Sequence, residues 1–352
     1  MIQIWKVLLP VAMLALAWGC SAPQGRQPND GPIEAADGRM CVGDKPRGVY
    51  YWKTVFSLND SEREWVRRHE IKRLFIRLFD VDEREEYDGS IAHVPVATTK
   101  FQSAVPQGVE VVPVVFITNE SMRTDPDFAP QLYARIKAMA KVNQLGRINE
   151  IQLDCDWTRT TRPMFFDLCR QMCQLAHKDS VEVSSTIRLH QLATEAPPVD
   201  RGVLMLYNTG NMRSLGTYNS ILHREDVAPY LKHGIDYALP LSLAFPAYEW
   251  GLVFSENRFE RIVRNVDIND TTIFHRADSN RYIPTCGLKI DNSWIEDYHT
   301  IRWETSEMKE INAVKDMVLR AMKSRVDGTV IYHLDSANLA KYNDKEIERI
   351  LE

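Results

Sequence analysis

The sequence predicts an α/β fold, a (β/α)8 TIM barrel with an excursion inserted after its seventh strand. Three observations carry this. Eight strand-like runs alternate with helical pieces over the roughly 310 residues that follow Cys41. Most of the runs are apolar along their whole length, as expected of strands buried on both faces of a parallel sheet. Hydrophobic residues make up 44% of the chain, enough to fill one sizeable core.

The elements follow in order. The β-rich stretch GVYYWKT, 48–54, is the first strand. A helix follows, with Ser61 and Glu64 at capping-box spacing. KRLFIRLFD (72–80) is the second strand, trailed by about 25 polar residues with weak helical signal. VEVVPVVFI (109–117) is the third. Leu132, Ile136, Met139 and Ala140 then recur at helical spacing up to Gly146. EIQLDCDW (150–157) is the fourth strand, and Phe165, Leu168, Met172 and Leu175 mark the helix after it. The runs at 181–187, 202–210 and 235–245 continue the series, with a short helical piece from Val227 to His233 between the last two. Residues 252–300 break the rhythm. They hold β-like pieces, TTIFHRA and CGLKI, and are too long for a bare loop, so they read as an insertion over the barrel mouth. Ile311, Val314, Val318 and Ala321 form an amphipathic helix, 328–335 is the last strand, and a charged helix ends the chain.

Residues 1–20 stand apart from the fold. A lone Lys6, an apolar stretch from Val7 to Ala17 and Gly19 before Cys20 have the layout of a secretory signal. A Cys at that point resembles the bacterial lipobox, which implies lipidation of Cys20 and a lipid-anchored place in the cell envelope. Residues 21–45 are rich in Pro, Gly and polar residues and read as a flexible tether. The barrel then occupies 46–352. No later run is long and apolar enough to span a bilayer. A formal charge of −5 with interspersed signs leaves no nucleic-acid footprint. Five cysteines remain after Cys20, namely Cys41, Cys155, Cys169, Cys173 and Cys286, so at least one thiol is free. Cys169 and Cys173 lie one helical turn apart, near the Cys155 strand. With no CxxC or HExxH they read as small buried hydrophobes. The nine histidines are scattered; His190 and His333 make a poor metal pair, and no cofactor or metal is implied.

In such a barrel, function sits at the C-terminal ends of the strands. The fourth strand ends in two acids, Asp154 and Asp156. Alternate residues of a strand share a face, which puts both acids and Thr158 on one side and Leu153, Cys155 and Trp157 on the other. Two like charges in a core raise one another's pKa, so either a site uses them or hydrogen bonds and a counter-ion such as Arg188 neutralise them. Other strand ends offer Tyr51 and Trp52, Asn119 and Glu120, Arg188 and His190, Tyr207 and Asn208, Tyr248, Glu249 and Trp250, and His333 and Asp335. Aromatic faces beside carboxylates and amides suit a sugar, whose C–H surface stacks and whose hydroxyls accept and donate.

IQLDCDWT resembles the fourth-strand signature of family-18 glycoside hydrolases, the chitinases and their relatives, which runs Asp-x-x-Asp-x-Asp-x-Glu. Asp154, Asp156 and Trp157 match it. MLYNTG is similar to the family's sixth-strand motif through Met205, Tyr207 and Asn208, and DGTVIYHLD is similar to its last strand, with Tyr332 where a Trp is usual. The chain is also similar to uncharacterised bacterial lipoproteins with such a barrel. The resemblance implies a carbohydrate ligand and substrate-assisted hydrolysis, in which an Asp orients the sugar's acetamide and the Glu protonates the leaving oxygen. Here Ile151 stands at the first Asp and Thr158 at the Glu. A threonine hydroxyl is no general acid near neutral pH.

Three readings follow. In the first, a glycan-binding barrel has lost its acid, and Asp154, Asp156, Tyr207, Asn208, Trp52, Trp250, Tyr248 and Arg188 hold a sugar. In the second, a glycosidase takes its acid from another strand, at Glu249 or Glu120, tuned upward by burial. In the third, the barrel is a scaffold for protein contacts.

Overall fold

A computed structural model describes residues 45–123, 127–290, 293–323 and 326–352. The expected signal, Cys20 and nearly all of the tether lie outside the described residues. The barrel strands are β1 (Arg47–Tyr51), β2 (Arg73–Glu85), β3 (Glu110–Ile117), β4 (Glu150–Asp154), β5 (Glu182–Ile187), β6 (Arg201–Met205), β7 (Leu241–Pro246) and β8 (Val326–Tyr332). Each pairs in parallel with the next. β8 returns to β1, with Arg47 opposite Thr329, and the cylinder closes.

Alternation along the strands makes two cores. Tyr50, Phe75, Val112, Val114, Val203, Met205, Ala244 and Val330 fill the lumen. Their neighbours Val49, Leu74, Val111, Leu204, Leu243 and Ile331 pack outward on the helical layer, the inside–outside partition a closed parallel sheet requires. At the N-terminal end of the lumen, buried Arg73 pairs with buried Glu150, and Arg201 links Glu150 to Glu182.

The outer layer holds α1 (Asp60–Arg68), α2 (Ala129–Val142), α3 (Arg162–Ala176), α4 (Arg224–Leu231) and α5 (Met308–Ala321), followed by α6 (Ser336–Leu339) and α7 (Asp344–Leu351) after the last strand. Between β5 and β6 runs only a 3-10 turn, Leu189–Ala193. The cap of α1 lies two residues before the expected Ser61. The Asn59 side chain accepts from the Glu62 amide, and Glu62 accepts in return from the Asn59 amide. Asn is as good a cap as Ser, and Glu64 is left for a surface pair with Arg67.

Two excursions depart from the simple alternation. β2 is 13 residues long, and its end pairs antiparallel with Ile91–Val96 where weak helix was expected. The helix-favouring Glu and Arg residues there are overridden by cross-strand pairing. The expected insertion is real and wider than 252–300. Glu249–Ser255, Arg258–Val263, Phe274–Arg276, Arg281–Pro284 and Thr300–Thr305 form a five-stranded antiparallel sheet with its own core around Val253, Phe274, Ile301 and Trp303. Gly251 lets that sheet close: a Cβ there would lie 2.9 Å from both the Trp303 ring and Val263.

Candidate functional site

β4 delivers the two acids to the C-terminal mouth as alternation requires. Leu153, Cys155 and Trp157 are buried against the helical layer, whereas Gln152 and Asp154 are buried on the other face and Asp156 and Thr158 emerge into solvent. Below the mouth, the Tyr50 hydroxyl donates to Gln152 Oε1 at 2.6 Å. One step higher, Thr186 on β5 donates to Asp154 Oδ1 at 2.5 Å. Burial pushes the Asp154 carboxyl up to about 6, with Arg188 pulling it down and Asp156 and Asp80 pushing it up.

Asp156 is treated differently by its surroundings. It forms an ion pair with Arg188 Nε, and its backbone carbonyl accepts from Asn119 Nδ2. Asn119 in turn accepts from Thr161 at 2.8 Å. The Thr158 hydroxyl joins Thr160 at 2.8 Å and Thr161 at 3.2 Å. A threonine-bonded turn therefore follows Asp156 at the end of the strand. The two acids are thus separated by environment: one sunken and hydrogen-bonded, one exposed beside a guanidinium.

Aromatic rings surround them. Tyr207 stacks on Tyr332, centroids 4.6 Å apart at 24°. Trp52 stands 6.0 Å from both Tyr332 and Tyr50, and the Arg77 guanidinium lies over Trp52, 5.6 Å from its centroid. Arg77 is held by Asp80. The Tyr248 hydroxyl donates to Asn208 Oδ1 at 2.6 Å, and Asn208 adopts a left-handed φ of 53°. Trp250, expected either as core or as a sugar platform, is buried, packs against Tyr248, and its indole N–H donates to Glu304 at 2.8 Å. It braces the wall and presents no face.

A cavity of about 870 Å³ opens beside this cluster, between the barrel and the insertion. Trp52, Tyr332 and His333 line its barrel side, and Arg264 and Trp303 its insertion side. Glu249 also lines it and pairs with Lys341. Glu120 is placed elsewhere, exposed on a 3-10 turn and 3.4 Å from Arg123. Burial pushes His333 down to about 4, so its ring is neutral. Asp335, in contact with Lys53 at 2.9 Å, is held below the usual carboxylate range by that partner and by the Asn338 amide, against its own burial.

Sequence reasoning missed Tyr50, Gln152 and Thr186 beneath the acids, and Arg77 and Asp80 beside Trp52. A charged pair inside the otherwise apolar run KRLFIRLFD was the available signal. Among the described residues, one grouping of Cys, His and Asp donors is close enough to share an ion, Cys173, His177 and Asp200; His190 and His333 belong to no such group.

Fold and strand ends together define a closed (β/α)8 barrel with acids, amides and aromatic side chains at its mouth. No family model and no curated protein matches the chain. Among solved structures, the chitinase of Chromobacterium violaceum superposes with a TM-score of 0.51 at 12% identity, over 87% of this chain and 98% of its own. The chitinase-like agglutinin RobpsCRA of Robinia pseudoacacia gives 0.49 at 13%, over 86% and 98%. The spore cortex-lytic enzyme SleL of Bacillus cereus gives 0.48 at 13%, over 88% and 74%. At these identities the likeness is one of fold.

Proposed function

We propose that the protein binds a carbohydrate in its barrel mouth and does not hydrolyse it by the substrate-assisted route. The observation that carries this reading is Thr158, a hydroxyl bonded within its own turn at the position of the general acid. Tyr332, backed by the buried Tyr207 ring, and Trp52 supply ring faces, and Asp156 and Arg188 supply polar contacts at the rim. The chitinase name of the Chromobacterium neighbour supports a glycan as the ligand class. The leader layout ending in Cys20 supports a lipid-anchored site of action in the cell envelope.

A second reading is favoured by one observation: Glu249 lines the same cavity as Trp52 and Tyr332. In that reading it supplies the acid for hydrolysis.

Native mass spectrometry of the purified full-length chain with a mixed oligosaccharide library separates the readings. Intact adducts without hydrolysis products are expected, and Asp156→Ala is expected to weaken them by about tenfold or more, the cost of losing one charge-assisted contact. Products gaining one water and abolished by Glu249→Gln establish the second reading. Neither adduct nor product overturns both and favours a protein-contact scaffold.

A further inference from the structure

At the opposite end of the barrel from the mouth, the last turn of α3 meets the segment that leads into β6. Cys173 and His177 are one turn apart and share a helix face. Asp200, immediately before β6, faces them. Its Oδ2 lies 2.9 Å from His177 Nε2 and its Oδ1 3.1 Å. The three donor atoms all fall within 4.8 Å of one another. We propose that Cys173, His177 and Asp200 bind one zinc ion through Sγ, Nε2 and a carboxylate oxygen, with solvent water as the fourth ligand.

The donor set fits this ion. Thiolate, imidazole and carboxylate together match the borderline softness of Zn²⁺, which takes four ligands in a tetrahedron. Ligands at about 2.0–2.3 Å from a tetrahedral ion stand about 3.3–3.6 Å apart, so the side chains reach that geometry by adjusting about an ångström. Asp200 is already held for the task. Its amide donates to the Val183 carbonyl at 2.8 Å, and its Oδ2 accepts from the Val183 amide at 2.7 Å. That second bond orients the carboxylate as an outer-shell partner does. Cys173 is partly buried, with Sγ 3.4 Å from the Pro198 carbonyl; burial and the facing Asp200 charge push its thiol up to about 12 in the metal-free protein, so the ion has to displace that proton. His177 is half-exposed, leaving room for entry and for the water. The His177–Asp200 ion pair that the metal would replace is a surface pair and contributes little.

Binding releases the Cys173 proton to solvent as the thiolate forms on the ion, with no change of oxidation state. The site lies at the N-terminal face of the strands, the face that serves stability. Zinc therefore staples the end of α3 to the entry of β6 and takes no part in events at the mouth.

The test uses the purified full-length chain, stripped with chelator and dialysed against zinc or cobalt, with the metal counted by mass spectrometry. One ion per chain is expected, with a thiolate-to-cobalt charge-transfer band, a rise in Tm with zinc and oligosaccharide retention unchanged. Cys173→Ser is expected to abolish the band. His177→Asn, which removes a ligand at a half-exposed position without disturbing packing, is expected to weaken zinc by more than the roughly tenfold cost of losing a supporting partner. Failure of the native chain to retain zinc overturns the proposal. So does retention unaltered by His177→Asn, or a cobalt band that survives Cys173→Ser and disappears with Cys286→Ser.

Discussion

Asp154 shows how much one side chain can set. It is 3% exposed, and burial raises its pKa from 3.8 to about 6. The folded protein thus holds this proton more tightly than the unfolded chain does. Its contribution to stability is most favourable below pH 3.8 and is lost as pH rises through the window to about 6. The full difference is about 3 kcal/mol at most. Asp154→Asn, which keeps an oxygen for Thr186, is expected to be more stable than the native protein at pH 7.5 by on the order of 1–3 kcal/mol. At pH 3.5 the two are expected to coincide. Urea melts at the two pH values measure this, and an advantage independent of pH would refute the assignment to a buried carboxyl. The acids were legible in the sequence because alternation alone puts Asp154 and Asp156 on one face. Their division of labour was not, since it depends on Thr186 and Arg188 arriving from the next strand. The role of Trp250 was not legible for the same reason: its partner, Glu304, is 54 residues away.

At the level of elements, the eight strands and the insertion were legible because apolar runs and turn residues are local signals. The hairpin at the end of β2 was not, because its first strand is charged and its second, Ile91–Val96, is broken by a Pro, so both gain order by pairing with each other. The inserted sheet is tied to the barrel wall by a buried polar cluster. Glu304 accepts from the Ser220 amide and hydroxyl at 2.8 and 2.6 Å and from Trp250 at 2.8 Å. It also pairs with Arg302, which is fully buried. Removing Glu304 leaves that guanidinium without a counter-charge, held only by the Ser214 and Met212 carbonyls, and strands three further donors. Glu304→Ala is therefore expected to cost about 3–5 kcal/mol in chemical denaturation. The exposed Glu120→Ala is expected to stay within about 0.5 kcal/mol. Equal effects of the two would show that the cluster is not structural.

For the molecule as a whole, the closing contact is between β8 and β1. Gly328 sits there without a side chain because a Cβ would lie 2.7 Å from the Pro46 carbonyl, a backbone atom that cannot turn aside. Gly328→Ala is expected to destabilise the barrel by about 1–3 kcal/mol and to lower Tm with little change in surface exposed on unfolding. A neutral substitution would show that β1 can slide to accommodate it. The same seam has a consequence for how the chain is made. The partners Arg47 and Thr329 are about 280 residues apart, so the entropy of joining them is met late. While a ribosome still holds β8, every earlier strand is available and none can complete a ring. β1 and β7 then expose two bare hydrogen-bonding edges, ready to join neighbouring nascent chains. For this polypeptide the dangerous moment is the interval before β8 emerges, and a holding chaperone is needed only that long.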